Sequence, residues 1–177
     1  KAFLRGEQLY RRNEFAAAQP AYEEAGAADS AFALAYHRLR DVLRWLGSAN
    51  TPKLLEYAHR AGALNHGLSQ RDSLMILADS LLPDPLASKF IELGALARAR
   101  RRFAVLERAT TLYPNDPETW TELGEARGRS AVGTDAPTAL LAFDRAIAAD
   151  SMFGPSYPSA INLALMTGNI GRPGTGA

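Results

Sequence analysis

The chain has 177 residues, of which 47% are hydrophobic and 22% are charged, and this composition excludes a disordered chain. The net charge of +1 favours no polyanionic partner, and the absence of cysteine excludes disulfides, thiolate metal sites and a cysteine nucleophile. No apolar run approaches the roughly 20 residues of a membrane helix, and no signal peptide is visible. We therefore expect no membrane insertion and a cytoplasmic location. Because the chain opens at Lys1 inside a helical pattern, we expect it to be a piece of a longer protein.

The sequence repeats itself at an offset of 121 residues, which is the separation of Asp29 from Asp150. The stretches AADSAFALAY and AADSMFGPSY share their Asp, Ser, Phe and Tyr residues at matching places. The match extends backwards to positions spaced along one helix face: Ala18, Tyr22 and Ala25 in the first copy, and Ala139, Phe143 and Ala146 in the second. Small residues let helices approach closely and the aromatic ring fills the space beside them, so the pattern predicts packed helix pairs.

A motif in the second half of the chain resembles the tetratricopeptide repeat, a helix–turn–helix unit of about 34 residues. Its elements are Trp120, Leu123 and Gly124 in the first helix, followed by Ala139, Phe143 and Ala146 in the second. The first repeat fits the same pattern, with Gly6 as its small residue. The resemblance implies an all-α fold, a right-handed superhelical α-solenoid of antiparallel helix pairs. The sequence departs from the family pattern at several places: Ser30, Arg40, Arg102, Leu106, Arg127 and Ser151.

The resemblance divides the chain into one repeat domain, residues 1–167, and a flexible Gly-rich tail, residues 168–177. Ser69 and Asp72 have the spacing of a capping box and begin a stripe of leucines, so they predict an extra helix between the second and third repeats. The third repeat is expected to contain two helices, from about 86 to 96 and from about 99 to 112. The predicted units are the repeats 1–30, 31–66, 84–114 and 117–151, the extra helix 69–82 and a last helix 155–166.

Longer segments of the chain also look like repeat regions found C-terminal to bacterial serine/threonine kinase domains. These segments read LSQRDSLMILAD, YPNDPETWTELGE and AFDRAIAADSMFGPSY. Similar regions occur in bacterial transcriptional activators and adenylate cyclases. The resemblance implies that the domain is the sensory or scaffolding arm of a larger bacterial signalling protein.

In tetratricopeptide domains the first helix of each repeat lines a concave groove, which implies that this chain binds a protein or peptide partner. The implied groove is basic and aromatic at its start and acidic at its end, so it can orient a peptide by complementary charge. Arg38, Arg44 and Trp45 are the expected anchors. Only Asn162 matches the carboxylate clamp that some members use, which argues against such a clamp. The predicted partner-binding residues are His37, Arg38, Asp41, Arg44, Trp45, Glu118, Thr121, Glu122, Glu125 and Asn162.

Motifs of catalysis and of cofactor binding are missing from the sequence. It has no G-x-S-x-G elbow, no P-loop, no G-x-G-x-x-G and no H-E-x-x-H, so we predict no enzyme, no catalytic residues and no cofactor. The histidines lack the clustering of a zinc site, so we predict no metal. The basic stretch ARARRRF has few aromatic residues beside it, and we expect no nucleic acid partner.

Two functions from different classes remain. The leading one is a non-catalytic protein–protein interaction scaffold that captures a partner in its groove. The alternative is a structural spacer or a self-association module, because the apolar residues Ile161, Leu163, Leu165 and Met166 of the last helix lack a covering helix and would suit a second copy.

Overall fold

The computed structural model describes residues 1–47, 52–82, 93–129 and 136–166, and every regular element in these ranges is an α-helix. In chain order the helices are α1 (Ala2–Arg11), α2 (Phe15–Ala28), α3 (Ala33–Trp45), α4 (Pro52–Ala63), α5 (Gln70–Ser80), α6 (Leu93–Leu112), α7 (Pro117–Arg129), α8 (Ala136–Ala149) and α9 (Ser156–Met166). None of these helices is both long enough and apolar enough to cross a bilayer.

The helices pack in sequential pairs, α1 with α2, α3 with α4, α5 with α6 and α7 with α8, and each pair packs against the next. Helix α9 packs against both α7 and α8. The prediction of an all-α helical repeat solenoid is therefore confirmed. Each pair covers the apolar face of its neighbour, so apolar residues are buried along the whole described stack.

The third pair differs from the prediction. Residues 93–112 form the single helix α6, where two helices meeting near residue 98 were expected. The physical reason is composition, because Ala, Leu and Arg are strong helix formers and no proline or glycine follows Gly94 in this helix. Helix α5, the predicted extra helix, packs against both α4 and α6. The expected start of repeat three and the predicted tail lie outside the described residues.

Two glycines of the predicted repeat motif lie where a side chain has no room. A Cβ atom on Gly6 would lie 2.5 Å from Cε1 of Tyr22, and a Cβ atom on Gly124 would lie 2.6 Å from Cε1 of Phe143. In both pairs an aromatic ring of the second helix thus rests directly on the backbone of the first helix. This repeated contact confirms the tetratricopeptide-like packing, since it joins the residue types that carry the resemblance.

The core changes character along the stack. The first two pairs share a cluster rich in aromatic residues, which includes Tyr10, Tyr22 and Tyr36. The buried residues of the cluster between α5, α6 and α7 are Leu, Ala, Val and Met, and the partly buried Phe103, Tyr113 and Trp120 pack against them. A third cluster joins Phe143 of α8 to Leu163 of α9. The aromatic first half has many ring contacts, whereas the middle of the stack relies on aliphatic packing.

The first helix pair touches the turn between α8 and α9. The amide of Gly154 donates a hydrogen bond to the carbonyl oxygen of Arg11 at 3.0 Å. The Arg11 guanidinium also forms an ion pair with Asp150 and lies 5.6 Å from the centroid of the Phe153 ring. Phe153 in turn packs on Tyr10, with ring centroids 6.4 Å apart. We call this set of contacts the end-to-end contact, because it joins the first and last parts of the described solenoid.

Candidate functional site

Two arginines of α3 reach two glutamates of α7 across the inside of the solenoid. Nη2 of Arg38 lies 3.1 Å from Oε2 of Glu118, and Nη1 of the same residue bonds to the other carboxylate oxygen. Nη1 of Arg44 lies 3.0 Å from Oε2 of Glu122, and its Nη2 bonds to Oε1. Both pairs are therefore bidentate, the geometry in which an arginine–carboxylate contact is strongest and most specific.

Further ion pairs connect these residues to α1 and α5. Nε of Arg38 lies 2.6 Å from Oε1 of Glu7 on α1. Nη2 of Arg40 lies 2.9 Å from Oδ1 of Asp79 on α5. Nη2 of Arg71, also on α5, lies 2.5 Å from Oε2 of Glu118. We call the whole set the inner charge network: Glu7, His37, Arg38, Arg40, Asp41, Arg44, Arg71, Asp79, Arg102, Asp116, Glu118 and Glu122.

Most of the inner charge network is buried. Arg40 and Asp41 are each 1% exposed, Glu122 is 4% exposed and Glu118 is 6% exposed. Removing such charges from water costs several kcal/mol per ion, so each must be matched by opposite charge and by hydrogen bonds. The first helices of all four pairs supply members of the network, and α6 adds Arg102, whose Nη2 lies 3.5 Å from Oε2 of Glu122.

The pairing shifts the ionisation of these groups. Burial disfavours the charged carboxylate of Glu118, but Arg38 and Arg71 outweigh burial and hold its pKa well below the usual range. Burial acts in the same way on the Arg44 guanidinium, and the attraction of Glu122 and Asp41 nevertheless raises its pKa. Arg102 shows the opposite balance, since burial dominates and lowers its pKa. The pairing therefore favours the charged forms of Glu118 and Arg44 in spite of their burial.

His37 lies where α3, α5 and α7 meet. Its Nδ1 is 2.7 Å from Oδ2 of Asp79, and its Nε2 is 3.6 Å from Oδ2 of Asp41 and 3.9 Å from Oε1 of Glu118. The side chain is 2% exposed, and Nε2 has no hydrogen-bond partner. Burial disfavours the imidazolium, but Asp41 and Asp79 outweigh burial and raise the pKa of His37 above its ordinary value.

His37, Asp41 and Glu118 also have the spacing of metal ligands, with one donor atom from each residue within 4.8 Å of the others. The space between the two carboxylates already holds a cation. Nη1 of Arg38 lies 3.3 Å from Oδ2 of Asp41 and bonds to Oε1 of Glu118. Because these are the oxygens that a metal would need, the arrangement suits a guanidinium rather than a metal, and we do not assign these residues as metal ligands.

Most of the predicted partner-binding residues come together in or beside the inner charge network. The buried ones are His37, Arg38, Asp41, Glu118, Thr121, Glu122 and Glu125, and Arg44 is nearly buried. Asn162 lies apart from them, exposed on α9. The expected division into a basic α3 and an acidic α7 is present, but the two helices neutralise each other instead of presenting separate charged surfaces. The role of these residues in partner binding stays a prediction.

Trp45 is the predicted residue at the edge of the network. It is half-buried and stacks on Phe15, with ring centroids 5.3 Å apart and planes 6° apart. Its indole Nε1 donates to the hydroxyl of Tyr10 at 3.3 Å, and the Arg44 guanidinium lies 5.1 Å from its centroid. Trp45 is thus a half-buried aromatic side chain next to a network arginine.

Sequence reasoning did not identify Arg40 and Asp79 as network members. Arg40 was noted only as a departure from the small residue expected there, and it is almost fully buried. Asp79 interrupts the apolar run of α5, where an unpaired charge would be costly. A charged residue at a position where the pattern expects an apolar or small residue indicates a buried ion pair, because such a residue needs an opposite charge from elsewhere in the chain.

No family model matches the chain, and no curated protein matches it. Among solved structures, YrrB, described as a TPR protein with an unusual peptide-binding site, is similar at 19% sequence identity with a TM-score of 0.42. The alignment covers 96% of this chain and 78% of YrrB. The tetratricopeptide-like fold of this chain rests on its own helix pairs and on its two glycine–aromatic contacts.

Proposed function

We propose that this tetratricopeptide-like domain is a non-catalytic protein–protein interaction scaffold that binds a partner peptide or protein on the face formed by α3 and α7. The observation that supports this proposal is the convergence of the predicted groove residues on that face, with charged groups of both signs and an aromatic side chain at its edge. The bacterial signalling context implied by the sequence resemblance is part of the proposal.

The buried pairs define what a partner must supply. A purely acidic peptide that took Arg44 from Glu122 would leave a buried carboxylate without its main cation, which is strongly unfavourable. A partner segment that carries both an acidic and a basic side chain can replace each half of a pair at once. We therefore expect mixed-charge segments to bind, with an apolar or aromatic residue placed on Trp45.

The test compares the two tryptophans of the chain. Peptides would be selected by display against the wild-type domain, and their binding would then be measured by calorimetry with Trp45→Ala and with Trp120→Ala. Trp120 is the matched control, because it is partly buried like Trp45 but packs against the cluster between α5, α6 and α7, and its indole donates to the carbonyl oxygen of Pro114 at 2.8 Å. Circular dichroism would show that both variants remain helical.

We expect Trp45→Ala to weaken binding at least tenfold, which is about 1.4 kcal/mol, and Trp120→Ala to leave it within about twofold. Equal effects of the two substitutions would contradict binding at the α3–α7 face. Failure to select any peptide would favour the alternative function.

That alternative is a structural spacer or a self-association module, and one observation favours self-association. Tyr157 and Ile161 lie one helical turn apart on α9 and are 37% and 53% exposed, and Leu141 of the adjacent α8 is 54% exposed. Sedimentation over a hundredfold range of concentration tests this function. A monomer at every concentration would remove self-association, whereas a dimer abolished by Ile161→Glu would support it.

A further inference from the structure

His37 occupies a position in which a neutral imidazole is poorly satisfied. With its Nδ1 proton donated to Asp79, a neutral ring would direct the lone pair of Nε2 at the carboxylate oxygens of Asp41 and Glu118. The ring is buried, and no donor of the protein lies within hydrogen-bond distance of Nε2. A second proton on Nε2 turns this repulsion into attraction to both carboxylates.

The charged groups around the His37 ring come from α3, α5 and α7. Arg38 and Asp41 flank it on α3, Asp79 faces it from α5, and Glu118 faces it from α7. Arg40 and Arg71 lie one step further out and pair with Asp79 and Glu118. The carboxylates thus belong to three different helices, and a positive charge on His37 attracts all of them at once.

We propose that the protonated His37 imidazole is a pH-responsive lock that draws α3, α5 and α7 together and so limits the access of a partner to the α3–α7 face. The proposal rests on the binding function proposed above for that face. Loss of the proton leaves the arginine pairs between these helices in place but removes one of the positive charges that all three share, which loosens the face without unfolding the domain.

The direction of the pH dependence follows from the carboxylates. Their attraction raises the pKa of His37 in the folded chain above its ordinary value of about 6.5. A group with a raised folded pKa contributes stability that is fully present below the unfolded pKa and is lost as the pH rises through the folded pKa. The lock is therefore closed below the ordinary histidine pKa and opens as the pH rises through the raised pKa of the folded chain.

The first test follows the histidine ring protons by NMR as the pH is changed. The chain contains three histidines, and the His37→Gln variant identifies the signal that belongs to His37. We expect this signal to titrate at higher pH in the folded chain than in the chain unfolded in urea. Titration at the same or a lower pH in the folded chain would overturn the proposal. The titration is measured on the wild-type fold, and His59→Gln and His66→Gln, at two exposed positions, leave the His37 signal as the remaining one if His37→Gln is unstable.

The second test measures the free energy of unfolding in urea across the same pH range. Gln at position 37 keeps a donor for Asp79 but carries no charge. The wild type should lose stability as the pH rises, and His37→Gln should show a much shallower dependence. His59→Gln is the matched control, because His59 is exposed on α4, and it should keep the slope of the wild type. Equal slopes in wild type and His37→Gln would overturn the lock.

The third test adds a selected peptide and separates the lock from the binding function. Its affinity for the wild type should rise with pH, and its affinity for His37→Gln should be high and nearly independent of pH. Binding that is independent of pH in the wild type would overturn the lock while leaving the binding function intact. If no peptide binds at any pH, the binding function fails, and the control of access fails with it.

Discussion

Arg44 of α3 and Glu122 of α7 form a largely buried bidentate ion pair although 78 residues separate them in the chain. The pair joins the two helices whose exposed faces were expected to line an open groove. Together with the Arg38–Glu118 pair, it lines the inside of this solenoid with opposite charges that neutralise each other. A partner must therefore compete with contacts that the domain makes with itself.

Glu118 should make the domain sensitive to acid. Its folded pKa is depressed by Arg38 and Arg71, so its contribution to stability is present above the ordinary carboxyl pKa and is lost as the pH falls through the folded value. We expect the free energy of unfolding to decline in acid more steeply for the wild type than for Glu118→Gln. Urea titrations at a series of acidic pH values would show this, and parallel curves would contradict it.

Gly124→Ala should destabilise the fourth helix pair. The new methyl group would lie 2.6 Å from the buried ring of Phe143, and overpacking of this kind costs about 1–3 kcal/mol. Gly128→Ala is the matched control in the same helix, because its methyl group would meet Leu163 at an ordinary 3.7 Å and would gain up to about 1 kcal/mol of helix propensity. Thermal unfolding should move in opposite directions for the two variants. A stabilised Gly124→Ala would refute the close contact.

The start of α5 depends on a side-chain cap. Oγ of Ser69 accepts a hydrogen bond from the amide of Asp72 at 3.1 Å, as the capping-box spacing predicted. Ser69→Ala should cost about 1 kcal/mol, and Ser69→Asp should restore most of it, since Asp is also a good N-cap. Urea unfolding measures both changes. No loss on Ser69→Ala would mean that the cap contributes nothing to stability.

Gly154→Ala should break the end-to-end contact. Its methyl group would lie 2.6 Å from the carbonyl oxygen of Arg11, and a backbone atom cannot move aside as a flexible side chain can. We expect a loss of about 1–3 kcal/mol and faster exchange of the amide proton of residue 154. Ser151→Ala, at an exposed position in the same turn, should change neither quantity. Rapid exchange of the Gly154 amide in the wild type would show that the ends do not meet.

Local features of the fold could be predicted because they depend on residues close in sequence. The cap at Ser69 is one example, and the contact between Gly124 and Phe143 follows from a repeat pattern within one helix pair. The continuity of α6 was missed because the repeat template imposed a break that its sequence does not encode. The partner of Arg38 could not be predicted, since Glu118 lies 80 residues away and their meeting depends on how all the intervening pairs stack.

Helices α3 and α7 are joined by their own charges. A double-mutant cycle of Arg44→Ala and Glu122→Ala, measured by urea unfolding, tests this connection most directly, because the cycle removes effects that each substitution has elsewhere. We expect each single variant to lose about 3–5 kcal/mol and the double variant to lose at least about 1 kcal/mol less than the two losses combined. Strictly additive losses would show that the two side chains do not interact. They would contradict the account in which α3 and α7 are joined by their own charges.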